Sequence, residues 1–120
     1  MKTVLITGAL GQDGIILSKI YLKKKFKVFG IVKKKNKDLV PKVKYMINNL
    51  KSKNRLTKII KKISPSIIIH LAASNNSYYS KKKETYKNNY VINLKSTKNV
   101  IDSVIENQIQ NKFIFAGSSL

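Results

Sequence analysis

Short runs of β-branched apolar residues alternate with amphipathic segments along most of this chain. Apolar runs of this kind are typical of strands buried between two layers of helices. The pattern predicts strands at Lys2–Thr7, Phe26–Val32, Val43–Ile47, Ser66–Leu71 and Lys112–Ala116. Apolar residues that recur every three or four positions predict helices at Asp13–Lys25 and Ser52–Ile63, and a long one that begins near Glu84 or Asn88 and continues to Ile105.

Short connections between these elements limit the possible topologies. Residues Asn36–Lys42 are polar and contain Pro41, which indicates a loop, and Ser64-Pro65 ends the second helix. Parallel strands joined by crossover helices form a doubly wound sheet. The chain is therefore predicted to be one α/β domain over residues 1–120, with strand order 3-2-1-4-5.

Three glycines lie between the first strand and the first helix. Gly8, Gly11 and Gly14 recur at every third position. At Gly8 the chain turns tightly off the strand, at Gly11 the missing Cβ lets a pyrophosphate approach the backbone, and at Gly14 the helix packs against the strand. The free N–H groups and the positive dipole end of the helix then suit phosphates. This Rossmann-type arrangement predicts a dinucleotide cofactor; the alternative is an ordinary strand-turn-helix.

The end of the second strand bears on which dinucleotide binds. An acidic residue about 20 positions after the glycines would hydrogen-bond the free 2′-hydroxyl of NAD, whereas a cation there accommodates the 2′-phosphate of NADP. Lys33, Lys34 and Lys35 occupy this region, and no acid follows until Asp38. NADP is therefore predicted in preference to NAD, although the same lysines could belong to the general lysine excess of the chain.

The charge balance of the chain is strongly basic. Lys and Arg number 25 against 5 Asp and Glu, for a formal net charge of +20, and Arg55 is the only arginine. A genome of low G+C content, whose codons favour Lys, Ile and Asn, would explain this balance, and so would a surface for nucleic acid. The lysines are spread over every predicted helix and lack the interleaved aromatic residues of a base-stacking platform. No nucleic-acid partner is therefore expected.

Other classes of protein are excluded by what the sequence lacks. Without cysteine the chain holds no disulfide and no cysteine-based metal site, and no metal is expected. No apolar run approaches the length of a membrane span. The first strand begins too near residue 1 to leave room for a signal peptide. A cytoplasmic protein without a membrane partner is the expectation.

The glycine spacing also carries a family resemblance. Thr-Gly-x-x-Gly-x-x-Gly at Thr7–Gly14 resembles the extended short-chain dehydrogenase/reductase family of NAD-dependent epimerases and dehydratases, and Gly-Gln-Asp-Gly at Gly11–Gly14 looks most like its GDP-mannose 4,6-dehydratase branch. The resemblance continues through Phe29–Lys34, Asn49-Leu50, His70–Ala73, Asn93 and Ala116–Ser119. It implies an NADP-binding Rossmann domain, a nucleotide-sugar substrate (GDP-mannose first), and a homo-oligomeric enzyme.

Several cofactor contacts follow from this resemblance. Besides the glycines, they are assigned to Gln12, Asp13, Lys33, Lys34, Asn49, Leu50, Leu71, Ala72 and Ala73. Asn49 stands where the family has an aspartate beside the adenine, so it keeps the carbonyl acceptor and loses the charge; a simple turn residue is the alternative. His70, the only histidine, is given no catalytic role. Asn93 would steady the active-site backbone or be a solvated helix residue, and Ser96 replaces a family glycine.

Catalysis is implied at Ser118, which follows the fifth strand. In the family, the Ser or Thr at this position hydrogen-bonds the 4-oxygen of the sugar and assists the tyrosine of Tyr-x-x-x-Lys during hydride transfer to NADP. Dehydratases add a glutamate two residues later, where this chain has Leu120. The only matching letters, Tyr21–Lys25, lie in the first helix. The chain is thus expected to be a cofactor-binding portion, truncated before the catalytic Tyr/Lys helix and the substrate-binding region, and inactive alone.

Three functions are compatible with these residues. The first is the NADP-binding portion of a nucleotide-sugar dehydratase that converts GDP-mannose to GDP-4-keto-6-deoxymannose. The second is an epimerase or reductase of the same family, because Leu120 replaces the dehydratase glutamate. The third is a non-catalytic dinucleotide-binding module.

Overall fold

A computed structural model describes residues 2–48, 50–71 and 95–105, and the backbone of residues 112–115. Its strands are β1 (Thr3–Thr7), β2 (Lys27–Val32), β3 (Lys44–Ile47), β4 (Ile67–His70) and β5 (Lys112–Phe115). Its helices are α1 (Gln12–Lys23), α2 (Lys53–Ile63) and α3 (residues 95–105). The predicted start of the long helix, near Glu84 or Asn88, lies outside the described residues.

The strands form one parallel sheet in the order β3-β2-β1-β4-β5. The predicted fold class and strand order are confirmed. In this register Thr7 pairs with Ile31 on one side and with His70 on the other. Val32 pairs with Ile47. The strands therefore end side by side, and the residues that follow them meet at the carboxyl ends of the strands.

Two apolar cores lie on the two faces of this sheet, because successive side chains of a strand point to opposite faces. The α1 face carries Val4, Ile6, Ala9, Val28, Val32 and Ile69, with Leu17 and Tyr21 of α1 packed against them. The α2 and α3 face carries Leu5, Ile31, Leu50, Leu56, Ile60, Ile68 and Val100. A strand buried on both faces is a continuous apolar run in the sequence, which is why the apolar runs identified β1 and β4.

The first helix packs on the sheet through small residues. Its buried residues are Gly14 and Ser18, and Ser18 donates a hydrogen bond from Oγ to the Gly14 carbonyl at 2.7 Å. Small residues one turn apart let the helix backbone approach the strands closely. Ile16 and Ile20 are 49% and 42% exposed, so the apolar residues of α1 do not all share the buried face that the sequence predicts.

The same helix ends two residues before its predicted end at Lys25. Lys25 takes a left-handed conformation, with φ of 67°, and its N–H donates to the Leu22 carbonyl at 3.0 Å. The Phe26 N–H donates to the Tyr21 carbonyl at 3.0 Å, and the two rings meet edge to face with centroids 5.0 Å apart. This is a Schellman motif, which usually has glycine where Lys25 stands. Because lysine stands in place of that glycine, no helix stop signal was visible at this position.

Serine residues define both ends of α2. The Ser52 Oγ accepts a hydrogen bond from the Arg55 N–H at 3.4 Å, as an N-cap residue does. Ser64, in the left-handed conformation, donates its N–H to the Ile60 carbonyl at 2.8 Å. The predicted range Ser52–Ile63 thus includes the N-cap. On α3, Ser103 Oγ lies 3.1 Å from Thr57 Oγ1, which joins the two helices on this face.

Candidate dinucleotide site

The turn after β1 is held by backbone hydrogen bonds to the neighbouring strand. Gly8 has φ of 65°, in the left-handed region that glycine adopts without strain. The N–H groups of Gly8 and Ala9 donate to the Ile31 carbonyl at 3.1 and 3.5 Å, and the Gly11 N–H donates to the Gly8 carbonyl at 3.0 Å. The turn is therefore fixed on β2 before any ligand binds.

Two glycines are required by the packing of this turn. A Cβ on Gly14 would overlap the backbone of Gly8 and Ala9, which agrees with the close helix packing predicted for Gly14. A Cβ on Gly30 of β2 would lie 2.7 Å from the Ala9 Cβ and 3.0 Å from the Tyr45 ring. Gly11 is different, since its Cβ would lie 3.4 Å from the Gly8 carbonyl oxygen, an ordinary contact. No atom of the described residues therefore excludes a side chain at Gly11.

The N-terminus of α1 offers donors rather than a side-chain cap. Gly11 is the N-cap residue and makes no side-chain cap bond. The N–H groups of Gln12, Asp13 and Gly14 belong to the first turn, where a helix supplies no carbonyl partner. Gly11, Gln12 and Asp13 are exposed. The first-turn amides of the exposed residues Gln12 and Asp13 lie beside the glycine turn and fit a pyrophosphate, whereas Gly14 is buried. Asp13 also places a carboxylate in this turn.

A cleft of about 340 Å³ lies at the ends of β2 and β3, beside the start of α2. We call it the α2 cleft, and its lining residues are Lys33, Ile47, Asn48, Lys51, Ser52 and Arg55. Three of these are cations, one directly after β2 and two around the start of α2, and none of the lining residues is acidic. Lys34, also exposed, is not among the lining residues. The cleft is thus electropositive and adjoins the region predicted to hold the adenosine ribose.

A buried polar relay joins the ends of β1 and β4. Thr7 Oγ1 is hydrogen-bonded to His70 Nδ1 at 2.7 Å and accepts from the Leu71 N–H at 3.0 Å. His70 Nε2 lies 3.1 Å from Thr97 Oγ1 on α3. Burial lowers the pKa of His70 from 6.5 to about 4, because the charged ring would lose its hydration. The imidazole is neutral at pH 7 and links β1, β4 and α3 through these hydrogen bonds.

The other residues predicted to contact the cofactor or substrate lie either in or beside the core or outside the described residues. Leu71 directly follows β4 and is partly buried. Leu50 is only 3% exposed, so its side chain belongs to the core and not to the surface of the site. Several predicted residues lie outside the described residues: Asn49, Ala72, Ala73, Asn93, Ser118 and Leu120. Their roles stay predictions.

Sequence reasoning missed four residues that line the α2 cleft: Asn48, Lys51, Ser52 and Arg55. Ser52 did carry a signal, because a serine before an apolar helical pattern is a typical N-cap. Arg55 was conspicuous only as the single arginine. Nothing in the linear pattern indicated that this arginine faces the end of β2.

The described part of the chain contains neither a candidate membrane span nor a candidate metal site. None of its helices has the length and apolar character needed to cross a membrane. Among the same residues, no three His, Cys, Asp or Glu side chains are grouped so that they could hold a metal ion.

Known proteins similar to this chain include a dehydratase and two epimerases. GDP-mannose 4,6 dehydratase 2 of Caenorhabditis elegans is 31% identical over 90 residues, covering 62% of this chain and 24% of that protein. UDP-glucose 4-epimerase of Thermotoga maritima, solved with UDP-glucose, is 18% identical with a TM-score of 0.82, covering 97% of this chain and 38% of that one. UDP-glucose 4-epimerase of Brucella ovis, solved with NAD, is 20% identical with a TM-score of 0.81, covering 96% and 35%.

The structural matches are below 25% identity and establish the fold. The chain spans between a quarter and two fifths of the length of these relatives. The sequence itself matches the NAD dependent epimerase/dehydratase family over residues 4–120. With the glycine turn, the exposed amides of α1 and the confirmed strand order, this match leads to one conclusion: the chain belongs to the NAD dependent epimerase/dehydratase family.

Proposed function

We propose that this chain is the NADP-binding part of a nucleotide-sugar 4,6-dehydratase that acts on GDP-mannose. The observation that carries the cofactor half of this proposal is the α2 cleft. Three cations face it, and no carboxylate lines it to accept a hydrogen bond from a free 2′-hydroxyl. A 2′-phosphate would gain charge-assisted hydrogen bonds there, whereas the free 2′-hydroxyl of NAD carries no charge for these cations to bind.

Different residues of the chain bind the two ends of the cofactor. The first-turn amides of Gln12, Asp13 and Gly14 hold the pyrophosphate, and the glycine turn lets it approach the backbone. Lys33 faces the adenosine end. When bound, NADP supplies the hydride acceptor for C4 of the sugar. Ser118 would hydrogen-bond the 4-oxygen, as the family resemblance implies.

The substrate half of the proposal is supported by sequence similarity. The relative from Caenorhabditis elegans is named a GDP-mannose 4,6 dehydratase. In addition, the chain contains the segment Gly11-Gln12-Asp13-Gly14, which resembles that branch of the family.

An epimerase of the same family is the second candidate. Leu120 stands where a dehydratase has its glutamate, and leucine cannot remove the C5 proton that water elimination requires. UDP-glucose 4-epimerases are also among the similar solved structures. Epimerisation at C4 needs hydride transfer but no elimination, so Leu120 would not obstruct it.

Calorimetric titration tests the cofactor assignment. The chain is titrated with NADP and with NAD at the same salt concentration, since its lysines attract any anion. Tighter binding of NADP is expected. Equal affinities, or tighter binding of NAD, would contradict the assignment.

The substrate assignment needs a separate measurement on the complete gene product that contains this chain. It is incubated with GDP-mannose and NADP, and in parallel with UDP-glucose, and the products are separated and weighed by mass spectrometry. A GDP-sugar that has lost one water supports the dehydratase. A UDP-sugar of unchanged mass and altered configuration supports the epimerase, and no product from either favours a non-catalytic binding module.

A further inference from the structure

The cations of the α2 cleft come from both of its sides. Lys33 follows β2, whereas Lys51 precedes α2 and Arg55 lies in its first turn. The lysine run after β2, from which NADP was predicted, therefore provides one side only. The opposite side is built by residues that neither the glycine motif nor the family resemblance indicated.

Arg55 occupies a position where helix stability alone would favour the opposite charge. Ser52 is the N-cap, and the residue three positions later in a capping box is usually Glu or Gln. A cation near the positive end of the helix dipole is unfavourable, and the first turn of α2 holds no acidic residue to offset it. A residue that departs from the preferences of a helix N-terminus, with no gain in stability, is expected where that residue binds a ligand.

A buried donor also lines the cleft. Asn48 is 9% exposed, and its Oδ1 accepts from the Leu50 N–H at 2.7 Å. The Nδ2 group of Asn48 donates to none of the described residues. A buried amide donor with no acceptor among the described residues costs free energy unless a ligand or water meets it. Its place beside three cations suits an oxygen of an anionic ligand.

The loop between β3 and α2 is held rigidly enough to present these groups. Leu50 has φ of 62°, and both of its backbone polar groups are bonded. Its N–H meets Asn48, and its carbonyl accepts from Asn99 Nδ2 of α3 at 2.8 Å. Asn99 is 8% exposed, so this bond is shielded from water. Lys51 and Arg55 thus start from a fixed backbone, which lowers the entropic cost of binding.

We infer that Arg55, with Lys51 and the Asn48 amide, binds the 2′-phosphate of the cofactor from the α2 side, and that Arg55 rather than Lys34 determines selectivity for NADP. The ligand chemistry is a phosphate monoester on the ribose of an adenine dinucleotide. A guanidinium presents a planar fork of donors to such a group, which a lysine cannot do. This inference rests on the proposed NADP-binding function.

Its test compares four chains: the wild type, Arg55→Ala, Lys34→Ala and Lys58→Ala. Lys58→Ala is the matched control, because Lys58 is exposed on α2 and does not line the cleft. This substitution removes one positive charge, as Arg55→Ala does. Each chain is titrated calorimetrically with NADP and NAD at constant salt, and circular dichroism checks that each is folded. Arg55→Ala should weaken NADP binding about tenfold or more, with little change for NAD. Lys58→Ala should change both affinities slightly and equally.

Failure of the inference is distinct from failure of the proposed function. If the wild type prefers NADP but Arg55→Ala keeps the same ratio of NADP to NAD affinity, or Lys34→Ala lowers that ratio more, the inference is wrong and the proposed function stands. If the wild type binds neither dinucleotide, or prefers NAD, both are overturned. Arg55→Lys adds a last measurement, because it keeps the positive charge but loses the planar fork of guanidinium donors. This variant should show a preference for NADP between those of the wild type and Arg55→Ala.

Discussion

Thr7 and His70 are 63 positions apart in the chain, yet Thr7 Oγ1 and His70 Nδ1 are joined by a buried hydrogen bond of 2.7 Å. Both side chains are 1% exposed. One residue precedes the glycine turn and the other ends β4, so this bond ties together the two strand ends that flank the candidate dinucleotide site. Since His70 is the only histidine, its titration can be followed without interference from another imidazole.

Stability should fall as the pH is lowered from about 6.5 to about 4. The pKa of His70 is about 4 in the folded chain and 6.5 in the unfolded one, so over this interval only the unfolded chain takes up the proton. The stabilisation is fully present above pH 6.5 and is lost progressively down to pH 4, by roughly 3 kcal/mol at most. Urea unfolding at several pH values measures it. A His70→Gln variant should lack most of this dependence, and an equal slope in that variant would contradict the prediction.

Thr7→Val should destabilise the chain by about 1–3 kcal/mol. The change keeps the shape of the side chain but removes the oxygen that bonds His70 and accepts from the Leu71 N–H. Thr7→Ser is the matched control, because it keeps the hydroxyl and loses only a methyl group. Urea midpoints of the three chains give the comparison. A valine variant no less stable than the serine variant would argue against the relay.

Gly14→Ala and Gly11→Ala should separate packing from ligand binding. The Gly14 variant should lose about 1–3 kcal/mol of stability or more, because its Cβ would overlap backbone atoms of Gly8 and Ala9. The Gly11 variant should unfold like the wild type, since its Cβ meets nothing closer than 3.4 Å. It should nevertheless bind the dinucleotide more weakly, because the pyrophosphate would meet the new methyl group. Thermal unfolding and calorimetry measure the two effects, and unchanged affinity in Gly11→Ala would place the pyrophosphate elsewhere.

Lys25→Gly should stabilise the chain by about 0.5–1 kcal/mol. Lys25 has φ of 67°, which strains a residue with a Cβ, and glycine relieves this strain at some cost in unfolded-state entropy. Lys24→Gly is the control, because Lys24 has φ of −80° and gains nothing from the change. Thermal unfolding at one salt concentration compares them. Equal stabilisation by both variants would mean that loss of lysine charge, and not backbone strain, is responsible.

The sequence was informative where one local pattern controls the structure. The apolar runs of β1 and β4, the glycine spacing and Ser52 each act through neighbours in the chain, and they led to the strand order and the position of α2. Contacts between distant segments carry no such local pattern. Arg55 lies near Lys33 only because β3 pairs beside β2, and Asn99 reaches Leu50 only because α3 packs on the same face as α2.

The two ends of the sheet differ in how much chain they can accept. Opposite the site, α1 joins β2 through Lys24–Phe26, where Lys25 is left-handed and the Lys27 N–H donates to the Lys2 carbonyl at 2.9 Å. Residues 33–43 leave β2 at the end that carries the site, cross back to the start of the parallel strand β3, and are largely exposed. Insertion of one residue near Asn36 should therefore be tolerated, whereas insertion after Lys24 should disrupt the fold. The second variant should then be cleaved faster by a protease than the first. Chemistry on this scaffold can thus diversify by lengthening loops at one end, while the other end preserves the architecture.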